Sequence, residues 1–235
     1  MKLMRKAVIL AAGRGTRLGA LTDDLPKPML PLKGKPMLEH LLDRLGAAGF
    51  AEAFLVTGYR AETIEEHFAH YPMRIESARQ TEINGTARAA LLARDFIGQE
   101  DFFLTYGDIL CQPADYAGMV ARHTAEGVIG CKWVEDPYQG AAVYPDAEGR
   151  VTRMIEKPPI GASSTHWNSA GLYCFKANIF DEFAQAPLSP RGEYEITSGI
   201  VQQLERGRRL LLYAIAGAWK DVGRPEDYAA AQEMV

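Results

Sequence analysis

Lys6-Ala7-Val8-Ile9-Leu10-Ala11-Ala12-Gly13-Arg14-Gly15-Thr16-Arg17-Leu18 is the stretch from which the fold can be read. A short apolar run bounded by glycines reads as a buried strand, and here it opens into a polar, glycine-rich loop. Such a junction presents backbone N–H groups to phosphate, because glycine lets the chain approach closely. Two familiar forms of the junction do not fit. A dinucleotide fingerprint needs glycine where Leu18 stands, and a P-loop needs Gly-Lys-Ser/Thr after four spacer residues. Arg17, and Lys27 in Pro26-Lys27-Pro28-Met29-Leu30, bring two fixed cations to the same loop, which is what a triphosphate requires.

Outward from this loop, short apolar runs alternate with amphipathic stretches. Strands are expected at Lys6–Ala12, Ala53–Thr57, Met73–Ser77, Phe102–Tyr106 and Val128–Val134, with helices opening near Pro36, Ala61, Gly85 and Pro113. The first helix puts Met37, Leu38, Leu41, Leu42 and Leu45 on one face, with Pro36 suited to its first position. Beyond Glu135 the pattern changes. Ala141–Tyr144 and Val151–Ile155 flank a turn at Asp146–Gly149 and read as a hairpin. Then follow a strand at Ser169–Phe175, helices near Ala177 and Tyr194, a strand at Leu210–Ile215 and a closing helix over Pro225–Met234. The alternation predicts an α/β protein with a largely parallel sheet. A single domain over 1–235 is expected, with a nucleotide-handling half near 1–135 and a more mixed half near 136–235 sharing one sheet.

Composition narrows the function classes. With 47% apolar residues the 235-residue chain can build a large core, and its net charge of −4 argues against a protein that mainly binds nucleic acid or anionic membrane. Cys111, Cys131 and Cys174 have no metal-ligand spacing and read as reduced thiols. Met1-Lys2-Leu3-Met4-Arg5-Lys6 is basic, but the apolar run after it is too short for a signal sequence, and no stretch approaches the roughly 18 apolar residues of a membrane span. A cytoplasmic setting is expected. The five histidines are scattered; His67 and His70, three apart on a helix candidate, read as solvated. Trp133 and Trp167 read as packing residues rather than stacking platforms.

Gly13-x-Gly15-Thr16-Arg17-Leu18 with Pro26-Lys27-Pro28-Met29-Leu30 resembles the signature of the sugar-1-phosphate nucleotidyltransferases, including the glucose-1-phosphate thymidylyltransferases and uridylyltransferases. The resemblance continues in order. Gln80 with Gly85-Thr86-Ala87 is similar to the base-reading segment, Gly107-Asp108 to the metal-binding strand end and Glu156-Lys157-Pro158 to the sugar-phosphate motif. Arg191-Gly192-Glu193-Tyr194-Glu195-Ile196-Thr197 resembles a thymidylyltransferase segment, and Trp219-Lys220-Asp221-Val222-Gly223 the second metal-binding segment.

The resemblance implies a Rossmann-like three-layer α/β/α fold with a mixed, mainly parallel central sheet and a small β-hairpin sugar-binding part. It implies Mg²⁺ held by Asp108 and Asp221, and a nucleotide site formed by Leu10, Ala11, Ala12, Gly13, Gly15, Thr16, Arg17, Gln80, Gly85 and Thr86. Arg17 and Lys27 would act on the triphosphate, and Lys157 and Arg191 on the attacking phosphate. Glu156 and Gly140 would meet the sugar. The partners expected are a nucleoside triphosphate, dTTP or UTP by the amide pattern of Gln80, and a sugar 1-phosphate; homo-oligomerisation is open. Three features depart from the family. The chain stops soon after Asp221, so an appended acyltransferase is not expected. Gln139 stands where thymidylyltransferases carry tyrosine, and Asn168-Ser169-Ala170-Gly171 fits the sugar-pocket pattern poorly, which leaves the sugar open. Guanylyl or cytidylyl transfer to a hexose, heptose or amino-alcohol phosphate is an alternative, as is a non-catalytic nucleotide-sugar-binding regulator.

Overall fold

The apolar run becomes β1 (Lys6–Leu10) in the computed structural model, which describes residues 4–235. Met1, Lys2 and Leu3, the start of the basic stretch weighed above, lie outside the described residues. Alternate residues of β1 serve opposite layers: Ala7 and Ile9 join one apolar cluster, Val8 and Leu10 the other. That two-sided burial is why the run carries no polar alternation.

Next come a small antiparallel pair, β2 (Pro31–Leu32) and β3 (Lys35–Pro36), then α1 (Met37–Ala47), β4 (Glu52–Thr57), α2 (Ala61–Phe68) and β5 (Arg74–Arg79). α3 (Thr86–Leu91), α4 (Arg94–Ile97), β6 (Phe102–Tyr106), β7 (Ile109–Cys111), α5 (Pro113–Arg122) and β8 (Gly127–Trp133) follow. The remainder is β9 (Ala141–Pro145), β10 (Val151–Glu156), β11 (Trp167–Phe175), α6 (Ile179–Gln185), α7 (Ile196–Glu205), β12 (Leu210–Ala214), β13 (Trp219–Asp221) and α8 (Pro225–Ala231).

The main sheet has nine strands, ordered β10-β9-β11-β6-β1-β4-β5, with β8 pairing both β11 and β12. β6, β1, β4 and β5 run parallel. β11 is antiparallel to β6 and carries the sheet into the second half of the chain. Leu38, Leu41, Leu42 and Leu45 of α1, Ile64 of α2 and Tyr116 of α5 pack on one face; α3, α6 and α7 supply Ala87, Phe180, Phe183 and Ile200 to the other. This is the expected three-layer α/β/α arrangement on a mixed sheet, and β9 and β10 form the expected hairpin.

Some details differ from the sequence reading. Pro36 caps α1 instead of opening it, with φ −52° and ψ 140°. α2 ends at Phe68, so His70 lies beyond it, while His67 pairs with Glu39 at 2.7 Å. Trp133 is 58% exposed and stacks on His166 rather than packing inside. The ribbon of β7 and β13, too short to show a period, was not foreseen. Among the described residues no helix is long and apolar enough to cross a membrane.

Candidate active site

The glycine-rich loop leaves β1 at the carboxyl end of the parallel strands, where open α/β sheets place their ligands. Its base is fixed by neighbouring strand ends: the Ala11 N–H donates to the Val56 carbonyl at 2.8 Å, and the Gly107 N–H to that of Leu10 at 2.9 Å. Ala11 therefore forms wall and does not donate to a phosphate. Gly15 must be glycine twice over. Its φ is +77°, and a Cβ there would lie 2.8 Å from Cβ of Lys27. Residues 16–22 then wind into 3₁₀ turns kinked at Gly19, tied by the buried Thr22 hydroxyl donating to the Gly15 and Gly19 carbonyls at 3.2 Å each.

Leu10, Ala11, Gly13, Gly15, Thr16, Arg17, Lys27 and Asp108 face a cavity of about 450 Å³. Arg17 is exposed, with its guanidinium against Gly223. Lys27 is buried, and its ammonium pairs with the Asp108 carboxylate instead of reaching out along the loop. An adjoining cavity of about 210 Å³ is lined by Leu10, Ala12, Gly13, Gln80, Ile83, Gly85 and Thr86 among others. There the Gln80 amide N–H donates to the Gly85 carbonyl at 3.2 Å. That leaves the Gln80 carbonyl oxygen as an acceptor for a base N–H.

The third cavity, about 230 Å³, includes Gly140, Glu156, Arg191, Asp108 and Asp221 in its wall. The hairpin places Gly140 and Glu156 together: Glu156 pairs with Ala141 across the strands, and the Lys157 N–H donates to the Gly140 carbonyl at 2.8 Å. Glu156 accepts from the Thr197 hydroxyl at 2.7 Å, and its other oxygen lies 3.5 Å from Arg191. Arg191 is held chiefly by the buried Glu195, at 2.6 Å and 2.9 Å. Lys157 is the expected site residue that these walls do not bring in. It is exposed, with a left-handed backbone (φ 43°), and is absent from all three linings. Ser169, Ala170 and Gly171, in the segment that departs from the family pattern, do line the third cavity.

Asp108 immediately precedes β7 and Asp221 ends its antiparallel partner β13, with the Val222 N–H donating to the Asp108 carbonyl at 3.0 Å. Asp221 opens onto the cleft but is crowded on its other sides. That burial and the charge of Asp108 push its carboxyl up to about 6, against the pull of Lys27 and Arg17. Excess negative charge at this point suits a divalent cation. Two carboxylates suit Mg²⁺ in particular, since it retains waters and substrate phosphate. Among the described residues no group of three or more His, Cys, Asp or Glu could enclose a metal by itself.

The sequence reading assigned no role to several residues that the structure brings in. Glu193 reaches all three cavities and Tyr106 reaches two. Burial raises the Tyr106 hydroxyl well above its usual range, so it stays protonated as a donor. Tyr173, Glu195, Thr197 and Trp219 complete the wall of the third cavity. Glu193, Glu195 and Thr197 lie within the 191–197 motif and Tyr106 two residues before Asp108, so proximity to a motif was the available signal.

The Asn84–Ala87 and Tyr194–Ile196 segments are joined directly. The Tyr194 N–H donates to the Asn84 carbonyl at 2.9 Å, the Ala87 N–H to the Tyr194 carbonyl at 2.9 Å, and the Ile196 N–H to the Thr86 hydroxyl at 3.0 Å. A Cβ on Gly85 would sit 2.3 Å from the Tyr194 carbonyl oxygen, so only glycine permits the contact.

Comparison with known proteins agrees with this geometry. The family model described as nucleotidyl transferase matches residues 6–235. A UTP–glucose-1-phosphate uridylyltransferase of Haloferax volcanii is 36% identical, over 98% of this chain and 96% of its own. The low-salt glycan biosynthesis nucleotidyltransferase of the same organism is 34% identical over 98% of this chain and 66% of its own. The chain spans between about half and two thirds of the length of the first such curated relatives. A crystal structure of a UDP-glucose pyrophosphorylase complexed with UDP-glucose superposes with a TM-score of 0.90, covering 99% of this chain and 98% of the other at 24% identity. That likeness establishes the fold.

Proposed function

The chain belongs to the nucleotidyl transferase family, and from that premise we propose that it joins a nucleoside triphosphate, dTTP or UTP by preference, to a sugar 1-phosphate. A phosphate oxygen of the sugar phosphate attacks the α-phosphorus, and the bond to the β-phosphate breaks in line. The products are a nucleotide sugar and pyrophosphate. The observation that carries this reading is the meeting of Arg17, Lys27, Asp108 and Asp221 where the glycine-loop cavity passes into the Glu156–Arg191 cavity.

Both reactants are anions, so catalysis is chiefly neutralisation and alignment. Arg17 stabilises the departing pyrophosphate. Lys27, poised on Asp108, shifts to the α-phosphate as the triphosphate arrives. Asp108 and Asp221 are the residues that would hold Mg²⁺, and the ion would supply Lewis-acid neutralisation of the triphosphate charge. Arg191 receives the attacking phosphate, and Glu156 accepts hydrogen bonds from sugar hydroxyls. Lys157, exposed and outside the cavity walls, would act only after swinging inward. Gln80 accepts from the imide N–H of uracil or thymine, and the relative described as a UTP–glucose-1-phosphate uridylyltransferase supports that choice of base. Three free, buried cysteines accord with a cytoplasmic setting.

The test is pyrophosphate release over four triphosphates and a panel of sugar 1-phosphates, with and without a chelator. Release should need both substrates, stop on chelation and be fastest with dTTP or UTP. Tight nucleotide-sugar binding without turnover across the panel would overturn catalysis, and a preference for GTP would overturn the base.

A further inference from the structure

Asp115, in the first turn of α5, is 3% exposed and far too buried to be a solvated helix residue. A buried carboxylate persists only when its oxygens are hydrogen-bonded. Here they are taken by one turn of chain and by the Cys111 thiol of β7, which donates to Oδ2 at 3.7 Å. Oδ1 accepts from the Ala216 N–H at 3.1 Å and the Tyr213 hydroxyl at 3.3 Å, and Oδ2 accepts from the Gly217 N–H at 3.0 Å. The opposite polarity of the same turn is met by Lys132 of β8, whose ammonium donates to the Ile215 carbonyl at 3.4 Å and the Gly217 carbonyl at 3.2 Å. Gly217 allows the approach, since a Cβ there would lie 2.5 Å from Asp115 Oδ2.

The gripped turn leads straight into β13, whose partner β7 runs directly into the segment that carries Asp115. Trp219 pairs with Cys111, Lys220 with Leu110 and Asp221 with Ile109. A two-stranded ribbon of three residues a side does not hold its own register, and a slip of one residue turns each side chain to the opposite face. At the Asp108 end the ribbon is closed by the Val222 N–H to Asp108 carbonyl bond. At the other end it is closed by Asp115 and Lys132.

We propose that Asp115 and Lys132 are positioning residues: together they lock the β7–β13 register and so set the Asp221 carboxylate beside Asp108. The inference rests on the assignment of these two aspartates as the metal-holding pair. It makes α5 and β8, neither of which contributes a residue to the phosphate cavity, part of the apparatus for metal affinity.

The whole chain carrying Asp115→Asn, and separately Lys132→Met, tests this. Amide hydrogen exchange at Ala216, Gly217 and Val222 should rise while β1 and β4 stay protected. Mn²⁺, a hard-cation probe for oxygen sites, should bind about 10-fold more weakly by paramagnetic titration with the triphosphate present, the lower end of the effect of losing a metal ligand's direct outer partner, since Asp115 and Lys132 act through the backbone of the turn. In turnover, the metal concentration for half-maximal rate should rise by a similar factor, with much of kcat recovered at saturating metal. A lower melting temperature with unchanged exchange at those three amides and unchanged Mn²⁺ affinity would overturn the proposal, leaving Asp115 a folding residue only. If Asp115→Asn does not fold, Lys132→Met and Gly217→Ala carry the same measurements. A wild-type chain that binds Mn²⁺ but releases no pyrophosphate from any substrate pair would sink the catalytic reading. The exchange and titration results would still judge the register lock.

Discussion

The phosphate cavity and the sugar cavity share Asp108 and Glu193, yet they are built from opposite materials. The first is walled by loop residues of 10–17 and by the cations Arg17 and Lys27. The second is walled by Glu156, Glu193, Glu195 and Asp221, with Tyr106, Tyr173 and Trp219 and the single cation Arg191. On the proposed function, backbone dipoles and fixed positive charge would attract a triphosphate of any base, and carboxylates and aromatic faces would recognise the hydroxyls and C–H edges of one sugar. The difference teaches a division of labour: charge neutralisation on one side, identity on the other, with the carboxylate pair at the seam.

The seam should be the most sensitive point. Asp108→Asn and Asp221→Asn are expected to give the largest losses in kcat/KM, exceeding those on either side, with circular dichroism unchanged. Near-normal turnover at low Mg²⁺ in either variant would remove that residue from the seam. On the phosphate side, Arg17→Ala should lower kcat by about 10²–10³, the effect of losing one preorganised donor at developing charge. Arg17→Lys should restore little, because an ammonium cannot meet two phosphate oxygens as a guanidinium does. If Arg17→Ala instead raised only the KM for the sugar phosphate, the division would be wrong. On the sugar side, Glu156→Gln should raise the KM for the sugar 1-phosphate about 10-fold or more, since hydrogen bonds to a charged group contribute about 1.5–3 kcal/mol. Its ratio of rates among triphosphates should not move. The smallest change is expected for Gln80→Ala, a loss of base preference worth about 0.5–1.5 kcal/mol. An unchanged ratio of kcat/KM over the four triphosphates would remove Gln80 from base reading.

The same contrast explains what could be read in the sequence. Residues 6–18 form β1 and its loop through local chemistry, so strand, glycines and Arg17 were legible together. The parallel core followed from apolar runs of strand length, and the hairpin from its turn. The rest of the site depends on contacts across long separations. Thr197 meets Glu156 across 41 residues, Lys27 meets Asp108 across 81 and Thr86 meets Ile196 across 110. Apart from Lys27, which its charge singled out, only the family resemblance pointed to these segments, and it could not say that Lys27 rests on Asp108 or that Arg191 is held by Glu195. Nor could it say that Lys157 stands outside the pocket wall. β7 and β13 escaped because strands of three residues have no readable period, and their pairing is decided by tertiary contacts.

On the proposed function, the bonds that join Asn84–Ala87 to Tyr194–Ile196 limit how the site can be redesigned. Base selectivity and sugar selectivity cannot be exchanged as separate cassettes, because the backbone that frames one is hydrogen-bonded to the backbone that frames the other. A graft of residues 80–85 from a relative with a different base would displace Tyr194, and with it the carboxylates at 193 and 195 that face the sugar. Substitutions in the two segments should combine non-additively, as residues sharing one network do. New nucleotide–sugar pairs are best sought by varying both segments in a single library, with Gly85 left in place.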